Sequence, residues 1–122
     1  MEKEFIPYEQ ALALKELGFD EPCFGWFTLE GDGAKSMFVP EKCPKQDIGL
    51  CLAPTFSQAF RWFREKYNLF GQVNMHTYFI YDISNDELKM VKQYDKLVKT
   101  YEEAELECLK KLIEIINERK GT

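Results

Sequence analysis

The chain has 122 residues, of which 45% are hydrophobic and 30% charged, and its net charge is −5. This length predicts one domain, 1–122, large enough to bury a core without disulfides or metals, and the acidic balance disfavours non-specific nucleic-acid binding. No apolar run approaches the roughly 20 residues that span a bilayer, and no secretory leader is predicted, so we expect a cytoplasmic protein with reduced thiols and no membrane partner.

The first predicted helix runs from Tyr8 to Leu17. Pro7 suits its start because the fixed φ of proline matches a helix, and Gly18 suits the left-handed position that follows a helix end. Phe19 is then expected to pack back against this helix.

Aromatic residues and threonine predict a first hairpin, with a strand over 23–30, a turn at Gly31-Asp32-Gly33 and a return strand over 35–39. A loop over 40–54 follows, and loops of this length in compact domains tend to be functional or mobile. Alternating apolar residues suggest a short edge strand inside it; they are Ile48, Leu50 and Leu52.

A second helix is predicted from the Thr55 cap to Tyr67. Its apolar residues recur at helical spacing and form one stripe, which indicates a face that packs on the core. They are Phe56, Ala59, Phe60, Phe63 and Tyr67.

Tyr78 to Ile83 has the strongest strand pattern in the chain, and turn residues follow at 84–86. The next segment, 88–97, fits two structures. Leu88 and Val91 belong to a spacing that would line a helix face, but the short distance from the turn favours a hairpin strand. We therefore predict a strand.

The third helix is predicted from the Thr100 cap to Arg119. Its apolar residues cover about half of the circumference, more than a core stripe requires. They are Ala104, Cys108, Leu109, Leu112, Ile113, Ile115 and Ile116. We expect another helix of the chain to cover the remainder, or a second protomer, which would make a homo-oligomer through 104–116.

One pattern, a cap, an aromatic, a free position, Gln or Glu, and Ala, marks all three helix starts, at 7–11, 55–59 and 100–104. The last two are capping boxes, in which the Thr hydroxyl accepts the third helical N–H and the acidic or amide side chain accepts the Thr N–H. The order α-β-β-α-β-β-α predicts an α+β fold with helices packed on one face of an antiparallel sheet. A decayed duplication of a β-β-α unit stays open.

No metal, cofactor or catalytic constellation is predicted. The four cysteines form no Cys-x-x-Cys pair, and His76 is the single histidine. We expect Cys108 to be a small buried hydrophobe and His76 to lie on the surface of a strand. An enzyme that uses the 40–54 loop, through Glu41, Asp47 and Cys51, is a weaker alternative.

The candidate binding patch combines two tryptophans with basic residues of the second helix; its members are Arg61, Trp62, Arg64, Lys66 and Trp26. Trp and Arg are favoured at binding hot spots, and together they can hold a base and a phosphate. In the alternative interpretation, Trp62 closes the rim of the core and the basic groups are solvated.

Three sequence blocks occur at 5–19 (FIPYEQALALKELGF), 53–64 (APTFSQAFRWFR) and 100–105 (TYEEAE). Together they resemble blocks of a group of small proteins from gut Bacteroidales and their phages and prophages. The resemblance implies the context of a phage or mobile element, and it implies no activity and no catalytic residue.

These observations favour a small non-catalytic accessory protein. Its expected partner is a host or phage protein, and the expected effect is to modulate or inhibit a host process such as defence. The alternative is a protein that binds or sequesters a small nucleotide-like ligand between an aromatic and an arginine.

Overall fold

The computed structural model describes residues 5–21, 25–29, 35–38, 50–84, 87–93 and 97–121, with the backbone alone for 25–29, 35–38, 50–52 and Gly121. The elements are α1 (Tyr8–Glu16), β1 (Gly25–Leu29), β2 (Lys35–Phe38), β3 (Leu50–Ala53), α2 (Phe56–Tyr67), β4 (Leu69–Asn74), β5 (Thr77–Ser84), β6 (Glu87–Gln93) and α3 (Tyr101–Gly121). This order confirms the α+β class. The elements fall into two units, Met1–Phe56 and Ser57–Thr122, and one domain over 1–122 stays a prediction.

The first unit contains α1 and an antiparallel sheet in which β1 lies between β2 and β3. Strand β3 confirms the short edge strand suggested by the alternation of Leu50 and Leu52, and α1 contacts it. The predicted turn at 31–33 and the loop residues 40–49 lie outside the described residues.

Helix α1 ends in a Schellman motif. Gly18 has a φ of 100°, its N–H donates to the carbonyl of Lys15 at 3.0 Å, and the N–H of Phe19 donates to the carbonyl of Leu14 at 2.9 Å. Both Phe19 and Leu14 are buried. The predicted roles of Gly18 and Phe19 are confirmed, while Pro7 is the N-cap residue, with extended backbone.

The second unit places α3 on one face of an antiparallel meander, β4-β5-β6. Strand β6 confirms the hairpin over the helical alternative for the segment that begins at Leu88. Strand β4 is an addition to the prediction, because Gly71 and Asn74 are weak strand formers and conceal its pattern.

The two sheets differ in strand order. The first strand of the first sheet is central, whereas the second strand of the second sheet is central. A duplicated unit would repeat one order, so this topology argues against the duplication that the three helix starts suggested.

The start of α3 is a capping box with one change of partner. The N–H of Glu103 donates to Oγ1 of Thr100 at 3.1 Å, as predicted. The carboxylate of Glu103 accepts the N–H of Lys99 at 3.2 Å, where the prediction had the N–H of Thr100. The carboxylate therefore satisfies a donor one residue further from the helix.

The seven apolar residues of the predicted α3 arc are all buried, and none is more than 7% exposed. The arc is therefore covered within the chain, and these residues leave no apolar surface for a second protomer. The prediction of a homo-oligomer through 104–116 assumes that part of this arc is uncovered, and the structure does not support that assumption.

An ion pair joins the last turns of α3 to β5. Nη2 of Arg119 lies 2.9 Å from Oδ2 of Asp82, and Oγ of Ser84 donates to Oδ1 of Asp82 at 2.6 Å. The hydrogen bond from Ser84, followed by the hydrogen bond and charge of Arg119, lowers the pKa of Asp82. Asp82 thus lies on the face of the sheet that carries α3.

Strand β4 approaches α3 most closely at Gly71. A Cβ atom there would lie 2.9 Å from Sγ of Cys108 and 3.2 Å from Cδ1 of Leu112. Cys108 is fully buried, as predicted, and burial, with a smaller contribution from the charge of Glu105, raises the pKa of its thiol to about 12. Glycine is favoured at position 71 because the side chains of α3 leave no space for a Cβ atom.

Replacement of Gly71 tests this close packing. We expect Gly71→Ala to lower the free energy of unfolding by about 1–3 kcal/mol in urea denaturation, because the methyl group overpacks the interface. The same change in a Cys108→Ala background should cost less, since the sulfur atom it meets is absent. Equal costs in the two backgrounds would contradict the explanation.

Candidate functional site

Trp62 of the candidate patch is 5% exposed. Its ring meets Phe63 and Tyr67 edge to face, with centroids 5.2 and 5.5 Å apart, and Nζ of Lys66 lies 5.0 Å from its centroid. This burial agrees with the alternative interpretation, in which Trp62 closes the rim of the core.

The basic residues of the patch have different surroundings. Arg61 is exposed, with Nε 3.9 Å from Oε1 of Glu65, whereas Arg64 is half-buried. Trp26 belongs to β1, and its side chain lies outside the described ones. A single binding patch made of these residues therefore stays a prediction.

No metal site emerges from the described part of the chain, where no three His, Cys, Asp or Glu side chains are grouped to hold an ion. His76 is exposed, as predicted, but it lies in the β4–β5 turn beside Met75 (φ 35°), so its predicted place in a strand is wrong. Glu41, Asp47 and the side chain of Cys51 lie outside the described residues, which leaves the loop enzyme a prediction.

The sheet of the second unit has a face turned away from α3, which we call the outer face. Gly71 and Ile80 are paired and lie on the α3 face, because a Cβ on Gly71 would contact α3. Adjacent residues of a strand point to opposite faces, and paired residues share a face. The outer face therefore consists of Phe70, Gln72, Asn74, Thr77, Phe79, Tyr81, Ile83, Leu88, Met90 and Gln93.

A β-bulge in β6 keeps the outer face uncharged. Tyr81 pairs with Met90 but Ile80 pairs with Lys92, so Val91 is the extra residue. An uninterrupted register would place Lys92 opposite Phe79, on the outer face. The bulge moves it to the α3 face, and all residues of the outer face are consequently uncharged.

The outer face exposes large apolar side chains. Leu88 is 67% exposed, Met90 48% and Ile83 37%. Beside them Phe79 and Tyr81 are half-buried, and their rings stack with centroids 6.4 Å apart and an interplanar angle of 24°. Contiguous exposed apolar side chains mark interaction surfaces more often than isolated ones do.

A cleft of about 470 Å³ opens on the outer face, and we call it the cleft. Its lining residues are Arg64, Phe70, Gly71, Gln72, Tyr81, Ile83 and Leu88. Arg64 is the only charged one, and no carboxylate of the described residues lies within ion-pair distance of it. The cleft therefore combines apolar walls with one guanidinium that has no ion-pair partner among those residues.

Arg64 is one of the candidates predicted from the sequence, whereas the outer face is not among them. A signal for this face exists at Tyr78–Tyr81, where consecutive apolar residues make both sides of one strand apolar. Helices predicted on one face of such a sheet leave an apolar surface on the other. The bulge at Val91 has no comparable signal.

No family model, no curated protein and no solved structure matches the chain. None of the described helices combines the length and apolar character that a membrane crossing requires. Among the described residues, we take the outer face and its cleft as the candidate functional site.

The dye 8-anilinonaphthalene-1-sulfonate tests the cleft, because its rings match apolar surface and its sulfonate matches a guanidinium. We expect the native protein to give saturable fluorescence enhancement. Arg64→Gln and Leu88→Asp should each weaken binding by roughly threefold to tenfold, a loss on the order of 1 kcal/mol. Arg61→Gln, on the same helix, is the matched control and should bind like the wild type. Equal titrations of all four proteins would contradict the assignment.

Proposed function

We propose that this chain is a small non-catalytic binding protein of phage or mobile-element type. It modulates or inhibits a host process such as defence through contact with a host or phage protein. The observation that carries the proposal is the outer face, an uncharged surface on which Leu88 and Met90 are exposed. The three sequence blocks that resemble proteins of gut Bacteroidales and their phages support the context.

The energetics of the outer face favour a protein partner. Burial of apolar surface contributes about 25 cal/mol per Å², so covering Ile83, Leu88 and Met90 stabilises a complex by several kcal/mol before association costs. Tyr81 beside them is of the residue type enriched at interface hot spots. A partner that covers these apolar side chains together therefore gains the largest free energy from their burial.

Affinity capture tests the proposal with the tagged protein as bait in a Bacteroidales lysate. We expect wild type and the control Asn117→Asp, which places the same charge on the exposed side of α3, to retain one protein. Leu88→Asp should lose it, because the change removes apolar area from the outer face and places a carboxylate where apolar side chains of the partner would pack. The captured protein is then purified and its affinity for each variant is measured by calorimetry. Retention by all three proteins, or by none, would contradict the proposal.

One observation favours the second candidate, a nucleotide-like ligand. Arg64 lies at the same cleft as Phe70 and Tyr81, and the cleft volume falls within the range of about 300–1,000 Å³ that is usual for small-molecule sites. A guanidinium binds phosphate through paired hydrogen bonds, and an aromatic ring stacks on a base.

Thermal unfolding with a panel of nucleotides tests this candidate. A ligand at a hundredfold excess over Kd adds about 2.7 kcal/mol to the stability, which raises the Tm by roughly 10 °C in a domain of this size. The shift should disappear in Arg64→Gln and persist in Arg61→Gln. An unchanged Tm across the panel would reject the nucleotide candidate.

A further inference from the structure

The structure assigns the outer face to an acidic, amphipathic segment of the partner protein. We propose that apolar side chains of this segment cover Ile83, Leu88 and Met90 and that one of its carboxylates pairs with Arg64. This inference rests on the proposed function and specifies the chemistry of the partner.

The charge of Arg64 selects the carboxylate. Arg64 is half-buried and lines the cleft beside apolar walls, and no described carboxylate is near enough to pair with it. An incoming carboxylate gains two parallel hydrogen bonds, which apolar surroundings strengthen by excluding water. A basic segment would instead meet a like charge, so the cleft discriminates between acidic and basic partners.

The extent of the apolar surface indicates a polypeptide segment. Leu88 and Ile83 line the cleft. Met90 lies beyond it along β6 and is more exposed than Ile83. A ligand confined to the cleft leaves Met90 uncovered. A segment with side chains at regular intervals along β6 can cover the row and still reach Arg64.

A second copy of this chain is a poorer occupant. Among the described residues the outer face carries no carboxylate, so in two copies joined by a two-fold axis through this face, neither outer face would itself supply a partner for Arg64. The bulge at Val91 also moves Lys92 away from the outer face. Separately, Arg64 is the one cation among the described residues that line the cleft. This arrangement suits one carboxylate per segment.

Selection from a random peptide library, with the full chain immobilised, tests the inference. Leu88→Asp serves for counter-selection, so that the recovered peptides depend on the outer face. We expect them to combine large apolar residues with one Asp or Glu. The best peptide is then labelled, and its affinity is measured by fluorescence anisotropy.

A double-mutant cycle identifies the ion pair. Arg64→Gln in the protein and Asp→Asn (or Glu→Gln) in the peptide should each weaken binding roughly tenfold, and both together should also weaken it roughly tenfold, because each change removes the same interaction. Arg64→Lys should restore part of the affinity through charge alone, and Lys120→Gln, which removes a charge from the exposed end of α3, should have no effect.

The outcomes separate this inference from the proposed function. The carboxylate assignment is overturned if the double variant loses affinity by the product of the two single losses, or if the selected peptides contain no acidic residue. In either case, protein capture that depends on Leu88 still supports the proposed function. If no peptide distinguishes wild type from Leu88→Asp, the inference is overturned. A nucleotide-dependent Tm shift in that case favours the small-ligand candidate.

Discussion

The close approach of β4 to α3 at Gly71 is the constraint on which the second unit depends. A side chain at this position would meet Cys108 and Leu112, so only glycine lets the helix lie this near the sheet. The helix can then bury its whole apolar arc, and Arg119 in its last turns forms an ion pair with Asp82 of β5. All of this packing is on one face of the meander, which leaves the other face to be explained.

The outer face and the edge beside it follow opposite principles. The face is uncharged and partly exposed, whereas β6, one of the two edge strands, also carries Glu87, Lys89 and Lys92. Charged side chains on an edge oppose indiscriminate strand pairing. The β6 edge therefore resists pairing through its backbone, while the face beside it offers apolar side chains to a partner. Such a division favours a specific complex over aggregation.

Local signals account for the parts of the fold that the sequence predicts. The αL position at Gly18 and the Thr100 cap are decided by neighbouring residues, and both are found as expected. Strand β4 is missed because Gly71 reads as a strand breaker in the sequence, and the reason for it, the close approach of α3, involves residues distant along the chain. The site is harder still. Arg64 can be proposed from its residue type, but the outer face depends on strand register and on an extra residue at Val91.

The buried thiol of Cys108 has a consequence for the use of this protein in solution. Burial raises the pKa of this thiol to about 12, so it is protonated at neutral pH, and the sulfur is also out of reach of reagents. Alkylation must then await a separation of α3 from β4. The rate at which a thiol reagent labels Cys108 thus reports how often this interface opens, and the measurement needs no introduced probe.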